Sequence, residues 1–192
     1  MKKQVFLIIE HCEPELSEWL LLEYKHAAKI WNSNVIFTNV HDETAAKKLK
    51  KIGKVVKKNA GEYLKDKRCI ILDPQSKKTL KTQDFQDLYA IIIGGILGCE
   101  KPKGRTKKMI SDKYGFETRN LGKIQLTIDG AAFVAKAILL GLDLEDIEIA
   151  YEVEIKHDEI HSTVLPFGYS IVNSLPLLTP GLIEYLLKEF SS

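Results

Sequence analysis

Ala90-Ile91-Ile92-Ile93-Gly94-Gly95-Ile96-Leu97-Gly98 is the stretch on which the fold turns. Residues 90–97 form the longest apolar run in the chain. That run is far short of the roughly 20 residues a membrane-crossing helix needs, and it suits a buried strand. The glycines follow at its C-terminal end. Without a Cβ, the backbone there can turn sharply and lie close to a ligand. Taken alone the signal is weak, because many α/β proteins turn in this way without binding anything.

Working outward, residues 5–9, 35–40, 69–72 and 116–119 read as further strands, with a short one at 55–56. Helical patterns separate them. The first opens at Pro14 and places Leu16, Trp19, Leu20, Ala27, Ile30 and Trp31 on one face. A second, 43–52, is capped by Asp42 and stopped by Gly53. Residues 61–67 are a short helix or loop, and 106–113 are helical. A long helix starts at Thr127 or Asp129 and reaches about Leu140, where Gly141 ends it. Residues 147–155 alternate like a strand, and 162–170 can pair with them as a hairpin arm broken by Pro166. Pro180 opens a last helix, 181–190. The polar segment 75–86 carries no clear pattern. Strands alternating with helices predict an α/β fold: a mostly parallel sheet with helices on both faces, in one domain spanning 1–192.

Composition supports a packed domain: 45% of the 192 residues are hydrophobic and 28% charged, which allows a real core and argues against disorder. The N-terminal MKKQVFLIIEH has too short an apolar stretch for a secretion signal and reads as the first strand. Cys12, Cys69 and Cys99 lack metal or disulfide spacing and suit reduced thiols in a cytoplasmic protein. No metal is expected. The net charge is only +2, but lysines cluster, most notably at Lys101, Lys103, Arg105, Lys107 and Lys108, where phosphates could be neutralised. The other lysine runs read as solvated surface.

In parallel sheets ligands sit beyond the carboxyl ends of the strands. That rule selects residues 10–13, Asp73-Pro74, 94–98 and 119–127. GxGxxG, GxxxxGK[ST] and GxSxG are all absent, which argues against a dinucleotide enzyme, a P-loop NTPase and an α/β-hydrolase. Leu121-Gly122-Lys123-Ile124-Gln125-Leu126-Thr127 is a loop, and a helix rich in small residues follows it (Gly130, Ala131, Ala132, Ala135, Ala137).

These two elements, in this order, resemble the SPOUT methyltransferases. The match extends to the subfamily that includes a eukaryotic protein-arginine methyltransferase of a ribosomal protein. It rests on Ile9-Glu10-His11-Cys12-Glu13 with Ser17-Glu18-Trp19 and Glu23-Tyr24. Further matches are Gly94-Gly95-Ile96-Leu97-Gly98 with Pro102 and Arg105-Thr106; Arg119, Leu121-Gly122, Gln125, Thr127 and Asp129; and Pro166-Phe167 with Tyr169. Cys99 and Gly104 depart from it, standing where the subfamily carries acids. The resemblance implies a C-terminal trefoil knot and S-adenosylmethionine as cofactor. The implied cofactor residues are Leu72, Asp73, Pro74, Gly94, Gly95, Leu97, Gly98, Leu121, Gly122, Gln125, Leu126 and Thr127. It also implies a substrate in translation, a ribosomal protein or RNA, and a monomer or homodimer.

A methyl donor brings its own electrophile, so the protein has to align the nucleophile and handle one proton. A guanidinium stays protonated and nucleophilically poor, and nearby carboxylates can fix its plane. Glu10 and Glu13, at the end of the first strand, are the expected catalytic acids. Arg105 is expected to orient the cofactor carboxylate or the substrate. The alternatives are an RNA methyltransferase of the same fold and a non-catalytic ribosome- or RNA-binding module.

Overall fold

The computed structural model describes residues 4–98, 103–156 and 161–190. Cys99, Lys101 and Pro102, singled out in the sequence, lie outside the described residues. Six strands form one parallel sheet: β1 (Phe6–His11), β2 (Val35–Thr38), β3 (Lys54–Val55), β4 (Cys69–Leu72), β5 (Ala90–Gly95) and β6 (Glu117–Arg119), in the order β3-β2-β1-β5-β4-β6. The register sets Ile8 beside Ile92 and Ile71 beside Ile92, so the most apolar strand lies at the centre.

Alternation along these strands creates two cores, because successive side chains point to opposite faces. Leu7, Ile9, Ile70, Leu72, Ile91 and Ile93 join one core. Ile8, Ile36, Ile71 and Ile92 join the other. Truncating a residue such as Ile92, which is fully buried, to alanine costs about 2–5 kcal/mol.

The first core is covered by α1 (Glu18–Ile30), α2 (Glu43–Leu49) and α5 (Ile128–Leu139). The start of α1 is later than the sequence suggests: Ser17, not Pro14, opens it, its hydroxyl accepting from the Leu20 amide at 3.2 Å. Residues 12–16 before it are bends and irregular backbone, and Glu13 among them is tied to another loop, as described below. The α2 helix starts at the expected cap, with Asp42 Oδ1 2.6 Å from the Ala45 amide, and stops at Leu49. Gly53 is needed where that chain returns to the sheet: a Cβ there would lie 2.7 Å from the Val35 carbonyl. Of the two candidate caps for α5, Thr127 is the one used, its hydroxyl accepting from Gly130 N at 3.1 Å.

The second core carries α3 (Ala60–Tyr63), a π-turn at Lys107–Ser111 and the single turn α4 (Asp112–Tyr114). Segment 75–86, which sequence pattern left unassigned, contains a 3-10 turn at Thr82–Phe85.

The C-terminal strands do not extend the parallel sheet. β7 (Ile149–Lys156), β8 (Ser162–Val172) and β9 (Leu175–Pro176) form a separate antiparallel sheet, in which β7 and β8 pair as the expected hairpin. Pro166 does not break β8 either. The pairs Tyr151–Gly168 and Val153–Leu165 leave Glu152 alone opposite Pro166 and Phe167, with Glu152 at φ +61°. This irregularity accommodates a residue with no N–H to donate. The last helix, α6 (Leu182–Phe190), buries Leu182 and Leu186 against Leu165, Phe167 and Tyr169. No helix among the described residues is long and apolar enough to cross a membrane.

Candidate active site

A cavity of about 320 Å³ opens at the carboxyl ends of β4 and β5. It is walled by residues 72–75, by Ile93, Gly94 and 96–98, by 103–106, and by 121–128 with Ala131. All of the expected cofactor residues except Gly95 line it: Leu72, Asp73, Pro74, Gly94, Leu97, Gly98, Leu121, Gly122, Gln125, Leu126 and Thr127. Most of this wall is apolar, with polar groups at its edges. That composition suits a flat ring held between aliphatic side chains, with backbone available at the glycines.

Each wall has a local cause. Gly98 sits under the C-terminal sheet, where a Cβ would approach Phe167 Cε1 to 2.3 Å and Gln125 Nε2 to 2.7 Å. Gly122 has φ +89°, in the left-handed region that favours glycine. The 121–127 loop is fastened to β8 by Gly168 N donating to the Gln125 carbonyl at 2.9 Å. Asp73 is buried and shapes its own turn: Oδ1 accepts from Gln75 N at 2.9 Å and Oδ2 from the Ser111 hydroxyl at 2.7 Å.

Gly95, also among the expected cofactor residues, does not line the cavity. Its missing Cβ would fall 1.9 Å from the Tyr24 hydroxyl and 2.9 Å from the Glu10 carbonyl. The position needs glycine because Tyr24 packs on the strand, with its hydroxyl 3.0 Å from His11 Nδ1.

The expected acids also behave differently. Glu10 is 1% exposed and is not part of the cavity wall. Its Oε2 accepts from the Thr38 hydroxyl and from Ala60 N at 2.9 Å, and its Oε1 accepts from the Tyr114 hydroxyl. Burial and this carboxylate push the Tyr114 phenol above its ordinary range. Glu10 therefore joins β1 to β2, α3 and α4, which departs from the expectation of an acid at the mouth of the site. Glu13 does not line the cavity, but its Oε1 accepts from Leu97 N and from Arg105 Nη1, both at 2.9 Å. Arg105 lines the cavity and also donates from Nη2 to the Leu97 carbonyl. Glu13 and Arg105 thus clamp Leu97 from both backbone sides. Cys12, between the acids, has its thiol pushed up to about 12 by burial and by Glu10 and Glu13.

Over residues 6–192 the chain matches the family described as protein arginine N-methyltransferase SFM1-like. The chain belongs to that family. Protein arginine N-methyltransferase SFM1 of Saccharomyces cerevisiae is 30% identical over 200 residues, covering 95% of this chain and 94% of the yeast protein. The crystal structure of yeast arginine methyltransferase SFM1 complexed with SAM has a TM-score of 0.89 and 28% identity, covering 99% of this chain and 93% of that one. A dual specific Trm10 from Thermococcus kodakaraensis shares the fold alone, with TM-score 0.60, 16% identity and coverage of 74% of this chain and 96% of that one.

In this SFM1-like chain, sequence reasoning passed over part of the site. Gln75, Lys103 and Ile124 also line the cavity. Beside it lies a buried acid pair. Glu23 of α1 takes Trp19 Nε1 at 2.7 Å and Ile128 N at 2.9 Å, while Asp129 takes the Thr127 and Thr179 hydroxyls, each at 2.7 Å. Glu23 is pushed up to about 8, first by burial and then by the neighbouring Asp129. The only sequence signal was that both acids belong to matched motifs. No group of three His, Cys, Asp or Glu that could hold a metal occurs among the described residues.

Proposed function

We propose that this chain is an S-adenosylmethionine-dependent methyltransferase that modifies arginine in a protein, ribosomal or otherwise engaged in translation. The observation that carries the reading is the cavity, where the ends of β4 and β5 meet the 121–127 loop in a chain of the SFM1-like family. Leu72, Ile93, Leu97, Leu121 and Leu126 would hold the adenine between aliphatic walls. Gln125, Thr127 and backbone at Gly94 and Gly98 would supply polar partners. The bound cofactor brings the electrophilic methyl group. The chain's part is alignment: the Glu13–Arg105 clamp sets Leu97, and the apolar wall excludes water, which strengthens polar contacts to a charged acceptor.

A knotted C-terminal half in a single domain belongs to the same proposal. Segment 119–127 would thread through a loop that includes 94–98. Supporting it, Arg119 and Asn120 bond to the 73–80 segment through Asp73 N to Arg119 O at 2.8 Å and Leu80 N to Asn120 O at 3.0 Å. The chain then crosses to Gly168. A crystallographic trace with 119–127 outside that loop would refute the knot.

The free Cys12 and Cys69 agree with a reducing, cytoplasmic setting. Of the basic loop, Lys107 pairs with Asp112, which leaves less charge for an RNA backbone. Incubating the protein with methyl-labelled cofactor and ribosomal material tests the substrate. Label in acid-hydrolysed methylarginine supports the proposal. Label in RNA replaces it with RNA methylation, and cofactor binding with no label in either replaces it with a binding module.

A further inference from the structure

Residues 47–68 hold ten lysine and arginine side chains against two acids, Glu62 and Asp66. That surplus of eight positive charges stands in a chain whose net charge is +2, so the remaining residues together carry −6. A surface that only keeps a protein soluble intersperses the two signs. Here one sign is gathered, and the summed field draws anions.

The fold brings most of these cations to one rim. Arg68 immediately precedes β4, Tyr89 immediately precedes β5, Phe6 opens β1 and Lys54 opens β3, so all four sit at the amino ends of the parallel strands. Lys50 and Lys51 lie between the end of α2 and Lys54, and reach the same rim. Lys65 and Lys67 follow α3, just before Arg68. The cavity opens at the opposite, carboxyl ends. Lys57 and Lys58, beyond β3, belong to that other end, and Lys57 is paired with Glu43.

Aromatic rings knit the rim together. Tyr89 packs on Phe6 with ring centroids 5.3 Å apart, and Lys67 Nζ lies 5.2 Å from the Tyr89 centroid. Tyr63 holds Lys54, whose Nζ donates to its hydroxyl at 2.9 Å. Burial raises the Tyr89 phenol, and Tyr63 and Lys54 are near enough to act on it, so the two lysine–tyrosine pairs are neighbours. Arg68 Nη1 donates to the carbonyls of Asp84 and Gln86. Lys50, Lys51, Lys54, Lys65, Lys67 and Arg68 are all exposed. Among the described residues, none of the six has an acid within salt-bridge distance.

We propose that this amino-terminal rim of the sheet is a docking surface for single-stranded RNA, which is bound there and not methylated. The exposed cations meet the phosphates, and the half-buried Tyr63 and Tyr89 offer ring surface to the bases. A basic surface that binds membranes also inserts apolar side chains, and none of the exposed large hydrophobic residues lies within 47–68 or at Phe6 or Tyr89. An acidic protein would supply carboxylates but nothing for the rings. The docking surface goes beyond the functional reading above and is separate from it. With rim and cavity at opposite ends of the sheet, bound RNA leaves the cavity open to a protein substrate.

Fluorescence anisotropy of a labelled 20-nucleotide, mixed-sequence RNA with the full chain tests this. In wild type, log Kd should rise with log salt at a slope of about 4, from six phosphate contacts at about 0.7 each on a single strand. Lys51→Glu with Lys65→Glu should weaken Kd at least tenfold and lower that slope by about 1.4. Lys77→Glu with Lys78→Glu, at exposed lysines outside the rim, makes the same change in net charge and should weaken Kd less than threefold. Affinity for S-adenosylhomocysteine, measured by calorimetry, should match wild type in both variants. Should the rim variant lose it, Lys51→Gln with Lys65→Gln is measured in its place, with the same direction expected. No RNA binding at 50 mM salt overturns the docking surface, and so do equal losses in the rim and control variants. Tighter binding to polyglutamate, or to vesicles containing phosphatidylserine, than to RNA also overturns it, in favour of an acidic protein or a membrane. Failure of wild type to bind S-adenosylhomocysteine overturns the cofactor reading alone and leaves the RNA measurement standing.

Discussion

Replacing Glu10 separates a structural acid from a catalytic one. Its carboxylate accepts from three groups, the Thr38 hydroxyl, the Ala60 amide and the Tyr114 hydroxyl, and is nearly inaccessible to water. In Glu10→Gln the carbonyl can take the place of Oε2 and keep Thr38 and Ala60. The amide NH2 then meets the Tyr114 hydroxyl, which can turn to accept. Every polar group stays paired, and the loss is the difference between charge-assisted and neutral hydrogen bonds, about 1–2 kcal/mol. For a chain of this size that lowers Tm by about 2–8 °C. In Glu10→Ala all three donors lose their acceptor, at about 1–3 kcal/mol each before relaxation. Hydroxyl rotation reduces this, so about 3–5 kcal/mol is expected, a large share of a domain's total stability. The assay is a urea melt followed by circular dichroism, with methyl-transfer rates measured well below the melt. Glu10→Gln should transfer methyl groups within about threefold of wild type. An unchanged urea midpoint with turnover lowered by about two orders of magnitude, the scale of a lost acid–base group, would refute the reasoning and make Glu10 catalytic.

Gly98→Ala places a Cβ 2.3 Å from Phe167 Cε1, so S-adenosylhomocysteine affinity should fall at least tenfold by calorimetry; Phe167→Leu in the same chain should restore part of it. Arg105→Lys cannot bond Glu13 and the Leu97 carbonyl through one planar group, so KM for the cofactor should rise about tenfold with Tm nearly unchanged. An equal fall in Tm would mean that the clamp serves folding instead. Burial and the neighbouring Asp129 push Glu23 up to about 8 in the fold, above its ordinary value in the unfolded chain. Its raised value therefore lowers stability progressively between about pH 4.5 and 8, and Glu23→Gln should lack that slope in urea melts at stepped pH.

What the sequence by itself determined was local and periodic. The isoleucine run and its glycines marked the central strand, Cys69–Leu72 was bounded correctly, and Asp42 and Thr127 announced the helices they cap. The order of strands and helices also led to the loops around the cavity, because ligands in parallel sheets gather at carboxyl ends. Tertiary structure decided what crosses long separations in the chain. Glu10 looked like a strand-end acid until Thr38, Ala60 and Tyr114 closed over it. Gly95 looked like its neighbour Gly94, but pleating turns the two to opposite sides, and Tyr24 claims one of them. The hairpin with Pro166 forms a sheet of its own, and its register shifts at Glu152, opposite the residue that has no N–H to donate. The Glu23–Asp129 pair is 106 positions apart in sequence, and no periodicity links residues that far apart; only the packing of α1 on α5 brings them into one dry site, where a charge that water would screen is felt in full.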